Sequence, residues 1–347
     1  MKLLCTLGPS TLNKVFLRNA KNLGIDILRL NMSHTRIKDL DKTIKFIKKY
    51  TTLPICIDSE GAQIRTGNLL KELNLKKNKI LKIYKKKNFF LYPDNVFNQL
   101  IKGDRLTLDF NSAIIEILYS KKEYFLAKVL SSGKVGKNKA VTLNRDIKLD
   151  SFTNKDIEAF KIGKKNNIKY YAISFASSKN DIVYARELLG KKTFLISKIE
   201  SFSGLKNCKD IINLSDAALI DRGDLSRHVR LISIPVWQKK LCFLKKKLNK
   251  KIYIATNLLE SMITNKEPTR AEVNDIYNSL RDGADGLVLA AETAIGKNPL
   301  MAVKIIKNCI KNFKKNRIFE TENLNMLNIK KQIKIEKKFF QKRFEKN

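Results

Sequence analysis

Eight short apolar runs, most of them followed by a helical stretch, predict an α/β chain folded as a parallel (β/α)8 TIM barrel. A single interruption of about 80 residues between the third and fourth runs predicts a small β-rich lid domain inserted there, because no ordinary barrel loop is that long. The 347 residues, 43% hydrophobic and 30% charged, suffice for a barrel-sized core and lie outside the disordered range.

The runs are 2–7, 26–32, 53–59, 170–175, 193–200, 217–222, 251–257 and 286–292. Helices are expected at 154–166, 179–189, 234–249 and 270–282. Thr153 with Asp156 and Thr269 with Glu272 have the capping-box spacing, and Pro268 precedes the second. Between the third and fourth runs, the pieces ILKIY, RLTLDF, AIIEIL, YFLAKVL and KAVTLN read as strands separated by Gly- and Asn-containing turns. The expected organisation is a barrel at 1–67 and 149–315, an inserted lid at 68–148 and a Lys-rich tail at 316–347.

The formal charge is +37, from 70 basic and 33 acidic residues. A nucleic-acid partner would account for it. So would the Lys-, Ile- and Asn-rich usage of an AT-rich genome. Lys outnumbers Arg 56 to 14, whereas base reading and bidentate phosphate contacts favour Arg. The compositional reading is therefore preferred, and nucleic acid is disfavoured as a partner. No run approaches a membrane span, and the N-terminus lacks a signal-peptide pattern. Five scattered cysteines and two histidines argue against structural zinc and for a reducing, cytoplasmic setting.

Reacting groups in such barrels sit at the C-terminal strand ends. Those ends carry Arg29, Asn31, Ser33 and His34; Asp58, Ser59 and Glu60, with Arg65 soon after; Ser174; Lys198 and Glu200; Asp221, Arg222, Gly223 and Asp224; Thr256 and Asn257; Glu292 and Thr293. Alternation points Lys198 and Glu200 the same way, and likewise Arg29, Asn31 and Ser33. Glu200 and Asp224 suit a hard cation such as Mg²⁺. Arg29, Arg65 and Lys198 suit phosphate and carboxylate groups. Taken singly, each feature is also an ordinary turn, cap or solvated strand edge. Together they form the equipment of phosphoryl transfer without a P-loop or a kinase-type glycine loop.

The stretches CTLGPST (5–11), GIDILRLNMSHT (24–35), IDSEGAQIRTG (57–67), ISKIESFSG (196–204), DRGDLS (221–226), ATNLLESMI (255–263) and PTRAEVNDIYNSLRDGADGLVLAAETAIG (268–296) resemble the pyruvate kinase family, in the family's order. The resemblance implies a phosphotransferase acting on phosphoenolpyruvate and ADP in glycolysis. It makes Lys198, Arg29 and Thr256 catalytic. Lys198 and Arg29 would meet the phosphoryl group, and Thr256 would stand where enolpyruvate is protonated. Arg222, Gly223 and Asp224 would line the substrate carboxylate pocket. Glu200 and Asp224 would hold Mg²⁺ (or Mn²⁺), and Asn31, Ser33, Asp58 and Ser59 would hold K⁺. Asn31, His34, Arg65 and, from the lid, Lys139 would meet the nucleotide. The family also implies a homo-oligomer formed through the barrel.

The chain departs from the family pattern in places. Ala290 replaces a serine of the proton-delivery network, and Ala291 the next glycine. Gln63 stands where K⁺-dependent members carry Glu, which leaves K⁺ dependence open. Asp221 replaces a small residue beside the carboxylate pocket. Ser226 replaces a glycine, and Arg227-His228-Val229-Arg230 stands for a V-E-I-P-like stretch. The family's C-terminal α/β domain is not expected in the 32 residues of the tail, and neither is the sugar-phosphate activation that goes with it. Two other readings stay open: a degenerate barrel kept as a basic binding protein, and another Mg²⁺-dependent barrel acting on pyruvate or phosphoenolpyruvate.

Overall fold

The computed structural model describes residues 1–61, 63–109 and 112–316, so that the expected tail, beyond Asn316, lies outside the described residues. Eight parallel strands close into a barrel: β1 (Lys2–Thr6), β2 (Ile27–Asn31), β3 (Ile55–Asp58), β4 (Tyr170–Ile173), β5 (Phe194–Ile199), β6 (Ala217–Asp221), β7 (Lys251–Ala255) and β8 (Gly286–Leu289). All eight apolar runs become strands. Pairing of β1 with β8, from Lys2 beside Gly286 to Cys5 beside Leu289, shuts the ring. Helices Lys14–Asn19, Ile37–Tyr50, Asn154–Lys165, Lys179–Leu189, Cys208–Leu214, Ile234–Leu248, Arg270–Arg281 and Pro299–Asn316 follow the strands. Their apolar faces meet the outward side chains of the strands in one large core.

Every run ends before its expected last residue, by three residues at 286–292, by two at 170–175 and 251–257, and by one elsewhere. Phe175, Thr256 and Asn257 have φ of 53°, 68° and 54°. Left-handed backbone cannot continue a ladder, so β4 and β7 stop at Ile173 and Ala255. The two expected capping boxes form, with Asp156 and Glu272 each closing on its threonine. Ser178 with Asp181 makes a third that was not expected, although it has the same spacing. Ile234–Leu248 ends at Asn249, a left-handed cap.

The insertion after β3 is antiparallel. Its main sheet runs in the order Ile80–Tyr84, Tyr124–Ser131, Ala113–Ser120, Arg105–Leu108, Ala140–Leu143, Ile64–Thr66 and Leu91–Tyr92. A two-stranded ribbon pairs Gly133–Val135 with Leu73–Leu75. The sheet has its own core, which includes Ile83, Leu106, Ile115, Ile117 and Val129. It takes in Ile64–Thr66, just before the residue-68 boundary expected for the lid. Among the described residues no helix is long and apolar enough to cross a membrane.

A small second core fills the barrel interior. It contains Leu4, Ile27, Cys56, Ala172, Ile196, Leu219, Ala255 and Val288, one from each strand. A strand repeats its facing every two residues. The next inward positions on the first six strands are therefore Thr6, Arg29, Asp58, Ser174, Lys198 and Asp221, all of them buried. An apolar floor is thus followed, one step toward the C-terminal face, by a ring that is mostly polar.

Candidate active site

Lys198 is the hub of that ring. Its side chain is 5% exposed, and its Nζ lies 2.7 Å from Glu200 Oε1, 3.4 Å from Asp58 Oδ2 and 3.5 Å from Asp221 Oδ2. It also donates to Ser174 Oγ at 3.2 Å. Burial would lower the pKa of this ammonium. The three carboxylates outweigh burial and hold it well above its usual value. Lys198 is therefore a fixed positive charge rather than a base.

Arg29 shares the same partners. Its Nε donates to Asp58 Oδ2 at 2.6 Å and its Nη1 to Thr6 Oγ1 at 2.8 Å. Asp58 is fully buried, and its other oxygen accepts from Ser174 Oγ at 3.1 Å. Ser59 Oγ accepts the Ser174 amide at 2.9 Å, tying the end of β3 to the end of β4. Asn31 Oδ1 accepts the Ser33 amide at 3.0 Å. Asn31, Ser33, Asp58 and Ser59 are thus neighbours at the ends of β2 and β3, an all-oxygen set of the kind a hard cation takes.

Glu200, Asp221 and Asp224 place carboxylate oxygens within 4.8 Å of one another. Glu200 Oε2 accepts the Phe175 amide at 2.7 Å. Its Oε1 is buried and, although close to Lys198, makes no aligned hydrogen bond. Burial is the chief cause of a raised Glu200 pKa, with Asp224 adding to it against the pull of Lys198. Burial and then Asp221 raise Asp224. For Asp221, burial is outweighed by Lys198 and Arg29, and its pKa falls. Three carboxylates crowded within 4.8 Å offer hard oxygen donors and repel one another, a repulsion that a divalent cation would relieve, so these residues fit Mg²⁺ or Mn²⁺.

Thr256 sits beside Asp221, in a backbone conformation that a β-branched residue rarely adopts. Its Oγ1 donates to Asp221 Oδ1 at 3.0 Å and accepts the Gly223 amide at 2.9 Å. Arg222 clamps the Thr256 carbonyl through Nη2 at 2.6 Å and pairs with Asp275 at 2.7 Å. This cross-brace holds the strained turn. It also places the short helix Arg222–Leu225 beside the threonine hydroxyl.

The inserted sheet supplies Arg65. Its Nη1 donates to the Asn138 carbonyl at 2.9 Å, and its Nη2 reaches Ser33 Oγ at 3.5 Å. His34 follows Ser33. Burial, then Arg65 and Arg29, push its pKa down. Lys139 lies on the chain beside Arg65, but its Nζ pairs with Asp109 on the insertion at 3.1 Å. Gln63 Nε2 donates to the Glu60 carbonyl at 2.8 Å and is turned into the loop after β3.

The family model described as pyruvate kinase, barrel domain, matches residues 1–303. The chain belongs to the pyruvate kinase family. A pyruvate kinase of Thermotoga maritima is 34% identical over 330 residues, covering 90% of this chain and 71% of that enzyme. One of Chlamydia pneumoniae is 31% identical over 91% of this chain and 69% of its own length. Plastidial pyruvate kinase 2 of Arabidopsis thaliana is 30% identical over 88% of this chain, which spans 55% of it. The chain therefore spans about seven tenths of the Thermotoga and Chlamydia pneumoniae enzymes and a little over half of the plastid one.

The barrel brings Arg29, Asp58, Lys198, Glu200, Arg222, Gly223, Asp224 and Thr256 to one mouth, with Asn31, Ser33, His34, Ser59 and Arg65 at its rim. Lys139, by contrast, has its ammonium paired with Asp109 on the insertion. Thr6, Phe175 and Arg227 belong to the site and were not expected. The alternation that begins at Leu4 signals Thr6. Nothing in the sequence signals that the Phe175 amide would hold Glu200.

Proposed function

We propose that the chain transfers the phosphoryl group of phosphoenolpyruvate to ADP, giving pyruvate and ATP. The observation that carries this reading is the Lys198 ammonium. It is buried among three carboxylates and stands beside Arg29 and a divalent-cation cluster, at the mouth of a barrel that belongs to this family. In the reaction, the bond between phosphorus and the enol oxygen breaks while a β-phosphate oxygen of ADP bonds to phosphorus. The enolate left behind takes a proton at its methylene carbon.

The roles proposed are those the family resemblance implies, and the placement of the residues supports them. Lys198 and Arg29 are fixed cations that stabilise charge on the phosphoryl group in flight and on the enolate oxygen. The Arg222, Gly223 and Asp224 backbone, at the start of a helical turn, receives the substrate carboxylate. Thr256 Oγ holds a proton at the site where the enolate carbon would lie. Glu200 and Asp224 would hold Mg²⁺ or Mn²⁺, which when bound supplies positive charge to phosphate and carboxylate oxygens. Asn31, Ser33, Asp58 and Ser59 would hold K⁺. Asn31, His34 and Arg65 would meet the nucleotide phosphates. Lys139 would join them by leaving Asp109 as the insertion closes and excludes water. In this reading 1–67 with 149–315 acts as the barrel, 68–148 acts as the lid, and the enzyme works in the cytoplasm as a homo-oligomer built through the barrel.

The test is pyruvate formation from phosphoenolpyruvate and ADP with Mg²⁺, with and without K⁺, beside Lys198→Met. Loss of about three orders of magnitude in kcat in a folded variant is expected, since a buried charge aimed at the transition state contributes on that scale. A variant as active as the parent would refute the assignment. The K⁺ comparison reads what Gln63 does to cation dependence.

A further inference from the structure

Asp224 is read above as a metal ligand, and the following inference rests on that reading. One of its oxygens is already engaged. Arg227 Nη2 lies 2.8 Å from Asp224 Oδ1, and the arginine side chain is 5% exposed. The guanidinium lies over the Phe175 ring, with Cζ 5.4 Å from the centroid. The Phe175 amide, in turn, is the donor to Glu200 Oε2. One residue at the end of β4 therefore braces both carboxylates, Glu200 through its backbone and Asp224 through the arginine stacked on its ring. Arg65, from the inserted sheet, acts electrostatically on Asp224 and on Arg227.

We propose that Arg227 is a resident counter-cation of the divalent-metal site, which competes with an incoming metal ion for Asp224 Oδ1. Before that, the guanidinium offsets repulsion within the carboxylate cluster. Afterwards a second cation at the same oxygen has no role. The structure gives the arginine somewhere to go. Arg227 and His228 line a cavity of about 360 Å³ between the insertion and the barrel. Ser177, Ser203 and Asp146 line it too, and Asp146 offers the displaced guanidinium another carboxylate. The movement needs rotation of one side chain and no shift of the barrel. Arg227 is therefore a positioning residue that sets the affinity for the metal, lowering it by competition.

The test measures Mn²⁺ binding to the whole chain without substrates, by the electron paramagnetic resonance signal of free Mn²⁺. Arg227→Met keeps much of the stem that covers Phe175 and removes the charge. It should bind Mn²⁺ about tenfold more tightly than the parent, the scale of one displaced charge contact. Arg227→Lys, which keeps a charge on a less directional head, should fall between the two. Should the methionine variant misfold, Arg227→Gln carries the same expectation. Unchanged affinity in the uncharged variants would reduce Arg227 to packing on Phe175 and overturn the proposal. Weaker binding would overturn it also, by making the arginine a support for the ligand. Asp224→Asn separates the underlying reading: it should weaken binding in every background. If it changes nothing, the assignment of Asp224 as a ligand fails, whatever Arg227 does.

Discussion

Asp221→Ala tests whether an extra buried carboxylate hinders the binding of an anionic substrate. Asp221 is 4% exposed. Its Oδ2 lies 3.5 Å from Lys198 Nζ, which at an effective dielectric of 20 is an attraction of about 5 kcal/mol. Glu200 and Asp224 oxygens within 4.8 Å oppose it by about 3.5 kcal/mol or more each when ionised. Those two repulsions come to about 7 kcal/mol, and the attraction of Arg29 adds to that of Lys198 on the other side, so the opposing effects are of similar size; the variant should fold, and its melting temperature should move by no more than about 5 °C. Lys198 keeps Glu200 at 2.7 Å and Asp58 at 3.4 Å, so it is not stranded. What changes is the charge met by the phosphate and carboxylate of phosphoenolpyruvate. Its KM should fall about tenfold, equivalent to ~1.4 kcal/mol, in steady-state assays at saturating Mg²⁺ and ADP. A rise in KM would refute this reasoning. It would mean that Asp221 serves substrate binding through Thr256 or through the metal.

Two other perturbations probe the scaffold around the site. Asp156→Ala removes a fully buried carboxylate that accepts the Glu60 amide at 2.6 Å, the Gly61 amide at 3.0 Å and both Thr153 donors. Loss of about 3 kcal/mol or more is expected in urea unfolding, and a loss under 1 kcal/mol would show that the loop after β3 does not depend on this cap. His228 carries a stability signature in mild acid. Burial, followed by Arg227, lowers its pKa to about 4. The unfolded chain therefore takes up a proton near pH 6.5 that the folded chain refuses until about pH 4. Stability from this residue is complete above pH 6.5 and is lost progressively down to pH 4, by about 1–2 kcal/mol after allowance for partial exposure. His228→Gln should flatten that part of the stability profile, and an unaltered slope would assign the acid sensitivity elsewhere.

The barrel was readable in the sequence because parallel strands buried on both faces must be apolar along most of their length, and each of the eight runs is. The capping boxes at Thr153 and Thr269 were readable because they are local, needing three residues and no tertiary partner. The ring of polar residues was readable in part. Lys198 and Glu200 share a face by alternation alone, but their common neighbours come from other strands, and no local rule brings Asp58, Ser174 and Asp221 to one ammonium. The early ends of β4 and β7 were not readable. Phe175 and Thr256 are good strand residues by propensity, and tertiary bonds, such as Arg222 to the Thr256 carbonyl, force them into left-handed backbone. Arg227 illustrates the same limit. Three residues beyond Asp224 it reads as a surface charge, and only the folded loop turns it back onto that carboxylate.

The closure of β1 on β8 has a consequence for synthesis. Thr6 hydroxyl donates to the Leu289 carbonyl at 2.7 Å, and the Thr293 hydroxyl donates to the Thr6 carbonyl at 2.8 Å. Arg29 leans on Thr6 in turn. A chain still emerging from the ribosome carries Arg29, Asp58, Lys198, Glu200 and Asp224 long before residue 293 is free of the exit tunnel. Until then the first strand has no neighbour on one side, and the ring of charges lies open to water. The last strand is thus a seal as well as a wall: the enzyme's most charged interior becomes a dry, fixed site only when nearly all of the barrel has been made.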